Sequence, residues 1–195
     1  MGRFTVVAAA MLVVLAGCGD DSFEADQTAG PQRYQDPSGL FTMEYPGEWE
    51  EIPGLSSETQ VGSTERVAAV AVGLLDTRSG NLIGASVEIQ DIGSVIGDAD
   101  QRAFLEEIVD PLMEQLAAAA GGSAAEPEWT SVAGREARRY LIDSVVRGQD
   151  LRSETTAFAD ADRFFRVTCQ APADRFEDEA AAGCAAVLDT FALGG

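Results

Sequence analysis

The reactive inventory of this chain is narrow: three cysteines, 33 carboxylates and 13 basic residues that are all arginine, with no histidine and no lysine. Without histidine there is no imidazole general base, no Ser-His-Asp triad and no imidazole metal ligand. Without lysine, Schiff-base chemistry is excluded as well. A glycine-rich phosphate loop with its lysine is absent, as is the Gly-x-Ser-x-Gly elbow of serine hydrolases. A hydrolase built from this chain would have carboxylates alone. Glu106, Glu107 and Asp110 form one acid cluster, and Glu177, Asp178 and Glu179 another. Both flank apolar stripes at positions expected to face water, so they read as solvated helix faces. Asp160-Ala-Asp162 lacks the downstream bidentate glutamate of a calcium loop and reads as a hairpin turn. No catalytic residue, metal ligand or cofactor is assigned.

Cys169 and Cys184 are expected to form a disulfide. Cys169 shares one strand face with Phe165 and Val167 at period two, and Cys184 lies in a helical stripe with Phe176, Ala180, Val187, Leu188 and Phe191. Both thiols should point inward at one strand–helix contact. Arg135, Arg138 and Arg139 cluster after Gly134, either as a local positive patch or as partners of the surplus acids. The formal charge of −20 opposes nucleic acid and anionic headgroups as direct partners.

At the other end, Arg3 precedes an apolar or small stretch from Phe4 to Gly17, an export-signal pattern too short to span a bilayer. Leu15-Ala-Gly-Cys18 resembles the lipobox of bacterial lipoproteins, in which the cysteine thiol takes a diacylglyceryl group and the bond before it is cleaved. The alternative, an ordinary secretory signal ending beside a cysteine, is opposed by the acidic pair Asp20, Asp21 and the polar stretch up to Gln35. The resulting plan is a signal at 1–17, lipidated Cys18 with a flexible tether at 18–35, and one domain at 36–195. Cleavage leaves 12 arginines against 33 acids, a formal −21. An extracytoplasmic location, with Cys18 removed from the count, leaves an even pair of cysteines in an oxidising compartment.

The elements that must position these residues follow from periodicity. Leu40 to Tyr45 alternates and ends at Pro46-Gly47, which marks a first strand and turn. Arg66 to Leu75 and Leu82 to Gln90 are strands joined by a hairpin. Helical spacing runs from Ala99 to Ala120, with Asp98 as cap and Pro111 as a kink or a split. Trp129 to Val132, Ala137 to Val146, Arg152 to Phe158 and Arg163 to Cys169 read as an antiparallel meander, and Ala173 to about Leu193 as a closing helix. The fold class is therefore α+β, an antiparallel sheet covered by helices. Trp49 and Trp129 serve as core or rim packing, or one of them lines an apolar cleft.

The segment Ser38-Gly-Leu-Phe-Thr-Met-Glu-Tyr-Pro-Gly-Glu-Trp49 resembles the opening strand and turn of PsbP-like domains and of actinobacterial LpqN-type lipoproteins. The closing stretch, a strand from Phe164 to Pro172 followed by a helix ending in Thr190-Phe191, is similar to theirs too. The resemblance implies an α/β/α sandwich and an accessory, transport or assembly role rather than catalysis. Two functions from different classes are compatible with these residues. One is a membrane-anchored, non-catalytic binding module that engages an envelope protein or an amphipathic envelope ligand such as a glycolipid. The other is a carboxylate-dependent hydrolase of cell-wall glycans, and a purely structural envelope scaffold is a third possibility.

Overall fold

The computed structural model describes residues 30–54, 65–76, 79–93, 100–146 and 148–194. Cys18 and Asp98 lie outside the described residues. In chain order the strands are β1 (Gln32–Gln35), β2 (Phe41–Tyr45), β3 (Glu50–Glu51), β4 (Glu65–Leu75) and β5 (Leu82–Asp91). A helix follows in three pieces: α1 (Gln101–Phe104), a π-helical turn (Leu105–Val109) and α2 (Asp110–Ala119). Then come β6 (Ser123–Ala124), β7 (Glu128–Val132), β8 (Arg135–Val146), β9 (Gln149–Asp160) and β10 (Arg163–Pro172). A second π-helical turn (Phe176–Ala180), α3 (Ala181–Thr190) and β11 (Ala192–Leu193) close the chain.

Among the described residues the main sheet runs β3-β4-β5-β10-β9-β8-β6, with β7 also on β8, and a small sheet runs β1-β2-β11. Every strand pair is antiparallel. Alternation along the central strands sends Ala85, Val87, Ile89, Phe165, Val167 and Cys169 to one face, where α3 and the small sheet cover them. On the other face Ala157, Ala159, Phe164, Tyr140 and Ile142 pack under Phe104, Leu105, Val109 and Met113 of the three-piece helix. The chain is thus an α+β sandwich with one core on each side of a single sheet.

Pro111 neither breaks the helix nor kinks it apart into separate elements. The Asp110 N–H bonds back to Leu105 O, five residues away, which widens the turn. Proline has no N–H to give and its ring would strike the carbonyl four residues back, so the wider turn admits it while the helix continues. The start is fixed by Asp100, whose side chain accepts a 3.1 Å hydrogen bond from the Arg102 N–H.

Strand β1 occupies Gln32–Gln35, inside the stretch the sequence assigned to the tether, and pairs with Thr42–Tyr45. Its burial pattern is almost wholly exposed, so little in its own sequence marks it. The closing helix ends at Thr190, earlier than its apolar periodicity suggests, because Ala192 and Leu193 leave it to pair with β2.

Trp49 is one of the core side chains, 2% exposed. A Cβ built on Gly183 of α3 would sit 2.4 Å from Trp49 Cζ2 and 2.9 Å from Pro46 Cγ, so glycine is what lets the helix lie on the indole. Gly183→Ala is expected to destabilise the domain by about 1–3 kcal/mol through overpacking, despite alanine's better helix propensity. A urea unfolding midpoint equal to or above the parent's would refute this.

A second close approach joins β4 to β5. Gly73 and Gly84 are register partners with φ of +153° and +157°, and a Cβ on either would meet the opposing carbonyl oxygen at 2.3 or 2.2 Å. Only glycine fits both positions.

Candidate functional site

Three rungs across the sheet build the floor of a groove beside α2. The first is Arg138, Ala157, Arg166, Glu88 and Ala69; the second is Tyr140, Thr155, Thr168, Ser86 and Ala71; the third is Ile142, Ser153, Gln170, Gly84 and Gly73. The helix covers the β8–β9 end of these rungs with apolar side chains; in the middle Arg166, Glu88 and Thr155 are buried, while Ser86, Ser153, Thr168 and Gln170 are partly exposed. The groove has a volume of about 200 Å³, walled by Met113, Leu116, Ala117 and Ala120 of the helix and by Ile142. Its polar lining is Ser86, Ser144, Ser153, Thr155, Arg166, Thr168 and Gln170.

Arg166 and Glu88 form an ion pair between side chains only 7% and 2% exposed. Taking two charges from water at this depth is costly, and their mutual attraction offsets part of that cost. Among the described residues, the second Glu88 oxygen, Oε1, has no hydrogen-bond partner. The Thr155 and Thr168 hydroxyls share a 3.1 Å hydrogen bond, and Gln170 Nε2 donates to Leu82 O at 3.3 Å. Ser144 and Ser153 make no side-chain hydrogen bond among the described residues. The groove thus offers hydroxyls, an amide and an arginine already paired with a buried carboxylate, beside an apolar wall. It holds neither a nucleophile–base pair nor two free carboxylates.

A second crevice, of about 330 Å³, lies between α3 and the β7–β9 strands. It is lined by Glu154 and Asp189 together with Arg139, Thr156 and Cys184. Thr156, 1% exposed, has a hydroxyl without a partner among the described residues.

The residues singled out by sequence are dispersed. Cys169 and Cys184 are joined as a disulfide, with Cα atoms 5.9 Å apart, linking the central strand β10 to α3. The three clustered arginines are each engaged by an acid: Arg135 by Asp160 at 2.7 Å, Arg138 by Asp110, and Arg139 by Glu154 at 3.5 Å. Two guanidinium groups lie over the Trp129 ring, Arg102 at 4.2 Å and Arg138 at 4.6 Å from its centre. Glu106, Glu107, Glu177, Asp178 and Glu179 are exposed. Asp160 and Asp162 flank the β9–β10 turn, where Ala161 has φ +52°. Among the described residues no group of three or more Cys, Asp or Glu could hold a metal ion.

Asp110 departs from its expected place on a solvated face. Its carboxylate accepts hydrogen bonds from Arg138 Nε at 3.2 Å and from the Tyr140 hydroxyl at 2.7 Å, clamping the helix to β8 at the widened turn. Burial first, and the Asp110 hydrogen bond second, push the Tyr140 phenol far above its ordinary 10.0. The protonated phenol therefore stabilises the fold fully below about pH 10, where an unfolded tyrosine titrates. That contribution is lost as pH rises toward the folded value. Tyr140→Phe should flatten the alkaline limb of the stability–pH profile, and an unchanged slope above pH ~10 would refute the assignment.

No protein-family model matches this sequence, and no curated protein matches it. Solved structures do. A protein of Bacteroides thetaiotaomicron VPI-5482 aligns over 84% of this chain with TM-score 0.53 and 13% identity, and the chain spans about half (48%) of that protein's length. The cyanobacterial PsbP (CyanoP) of Synechocystis sp. PCC 6803 aligns over 92% of this chain and 98% of its own, with TM-score 0.57 and 17% identity. LpqN, involved in cell envelope biogenesis of Mycobacterium tuberculosis, aligns over 88% of each chain with TM-score 0.50 and 12% identity. The fold is PsbP-like.

Proposed function

We propose that this protein is an LpqN-type lipoprotein, held to the extracytoplasmic face of the cell membrane by lipid on Cys18, whose domain is a non-catalytic binding module of the cell envelope. The groove beside α2 carries this reading. A built, partly polar concavity with a buried charge pair and no acid–base or nucleophile constellation is suited to holding a ligand and has no evident means of transforming one. The description of LpqN as involved in envelope biogenesis supports the setting. The lipobox-like Leu15-Ala-Gly-Cys18 supports the anchor, because one diacylglyceryl group together with an N-terminal acyl chain gives stable membrane attachment. Its partner is an envelope protein or an amphipathic envelope ligand.

Two measurements on the protein from an exporting host test the proposal. Wild-type protein should partition into the detergent phase, and Cys18→Ala should leave it in the aqueous phase. Native mass spectrometry of the membrane-extracted protein should show a stoichiometric co-purifying species, or crosslinking in the membrane should trap one specific protein. An empty protein without a specific crosslink would overturn the binding role, and unchanged partitioning of Cys18→Ala would overturn the anchor.

A further inference from the structure

We infer that the groove beside α2 takes a neutral sugar, an uncharged ring rich in hydroxyls; this rests on the binding-module reading and specifies its ligand class. Charge comes first. Among the described residues, Arg166 is the only cationic side chain lining the groove, and it is already matched by Glu88 on the neighbouring strand. An anion would have to compete with a buried carboxylate for that guanidinium, and a cation would meet no uncompensated acid. In a chain of formal charge −20, this concavity is locally neutral.

Hydrogen-bonding capacity comes second. A hydroxyl has one donor and two acceptor sites, so a hydroxyl-lined surface is matched by a ligand whose own groups also both give and accept. Ser144 and Ser153 supply such groups with no side-chain hydrogen bond among the described residues, and the Thr155–Thr168 pair retains unused lone pairs. On the same face, next to Arg166, the buried Glu88 Oε1 is an acceptor with no donor among the described residues. Glu88 does not itself line the groove, so its charge acts on a ligand through Arg166, which an anion would have to draw away from it.

Shape comes third. One wall is hydroxyl-lined strand and the other is apolar helix, including Leu116 and Ala120. A sugar ring has matching sides, with C–H groups above and below and hydroxyls around its edge. The volume of about 200 Å³ lies below the roughly 300–1,000 Å³ of drug-sized ligand sites, so it suits one ring and not a chain.

The test uses the membrane-extracted, full-length exported protein and saturation-transfer NMR with methyl α-glucoside, mannose, arabinose and myo-inositol. Glucuronate and glucosamine serve as charged counterparts. At least one neutral ring should bind saturably in the millimolar range, more tightly than its charged counterpart. Ser153→Ala combined with Thr155→Val should weaken that binding about tenfold or more, the loss of two modest hydrogen bonds, with the unfolding midpoint confirming an intact fold. Ser131→Ala, in the separate crevice by α3, should leave binding unchanged. The inference is overturned if no neutral ring binds saturably, if glucuronate or glucosamine binds better, or if the groove double variant binds like wild type. Overturning it while a co-purifying species persists in native mass spectrometry would leave the binding-module reading standing with a ligand of other chemistry.

Discussion

An Arg166→Met protein is expected to unfold about 3–5 kcal/mol more easily than its parent, because the substitution leaves the Glu88 charge buried without its partner. Glu88 is 2% exposed and sits opposite Arg166 in the β5–β10 register, so the carboxylate is shielded from bulk water. The informative comparison is Glu88→Leu combined with Arg166→Met. With both charges removed, the desolvation cost disappears and apolar packing replaces it, so the double variant should regain most of the lost stability. Urea unfolding of the two variants separates the cases. A single variant within 1 kcal/mol of wild type, or a double variant no better than the single, would mean that water reaches the pair and that it is not the closed charge couple described above.

Replacing Cys169 and Cys184 together by alanine is expected to cost about 3 kcal/mol in the chain-entropy account, given the 15-residue separation of the bridged pair. The bridge ties α3 to the central strand β10, and both residues lie in the larger core. The variant also removes two buried sulfur atoms, which adds a small packing loss in the same direction. Denaturant unfolding of the oxidised parent against the double variant measures the total. Two titratable thiols in the unreduced, denatured protein would refute the bridge itself, and equal unfolding midpoints would refute its contribution.

Much of the fold was legible because long amphipathic segments announce themselves. The meander from Glu128 to Pro172 and the β4–β5 hairpin follow period-two patterns whose buried members are the core. The inward pairing of Cys169 with Cys184 could be read from two different periodicities converging on one contact. Short partners were not legible. β1, β6 and β11 have two to four residues each, and they are strands only because β2 or β8 lies alongside. Asp110 reads as one more surface acid in sequence; its role comes from the widened turn before Pro111, which presents it to Arg138 and Tyr140. The groove was hidden for a related reason. Ser86 and Glu88, and Arg166, Thr168 and Gln170, alternate with apolar residues as a solvent-facing strand surface would, and Ser153 and Thr155 lie in the wholly polar run Arg152 to Thr156. The available signal was their co-occurrence on three strands of a sheet that the sequence already required to be covered on both faces.

The small sheet places the first and last strands on opposite edges of the same strand, β2. Gln35 and Ala192 both face Thr42, one from each side. Chain order and spatial order are therefore nearly independent at this seam. A linker joining Leu193 to Gln32, with new termini opened at the β9–β10 turn where Ala161 is exposed, would keep every layer of the sandwich in place while renumbering the route through it.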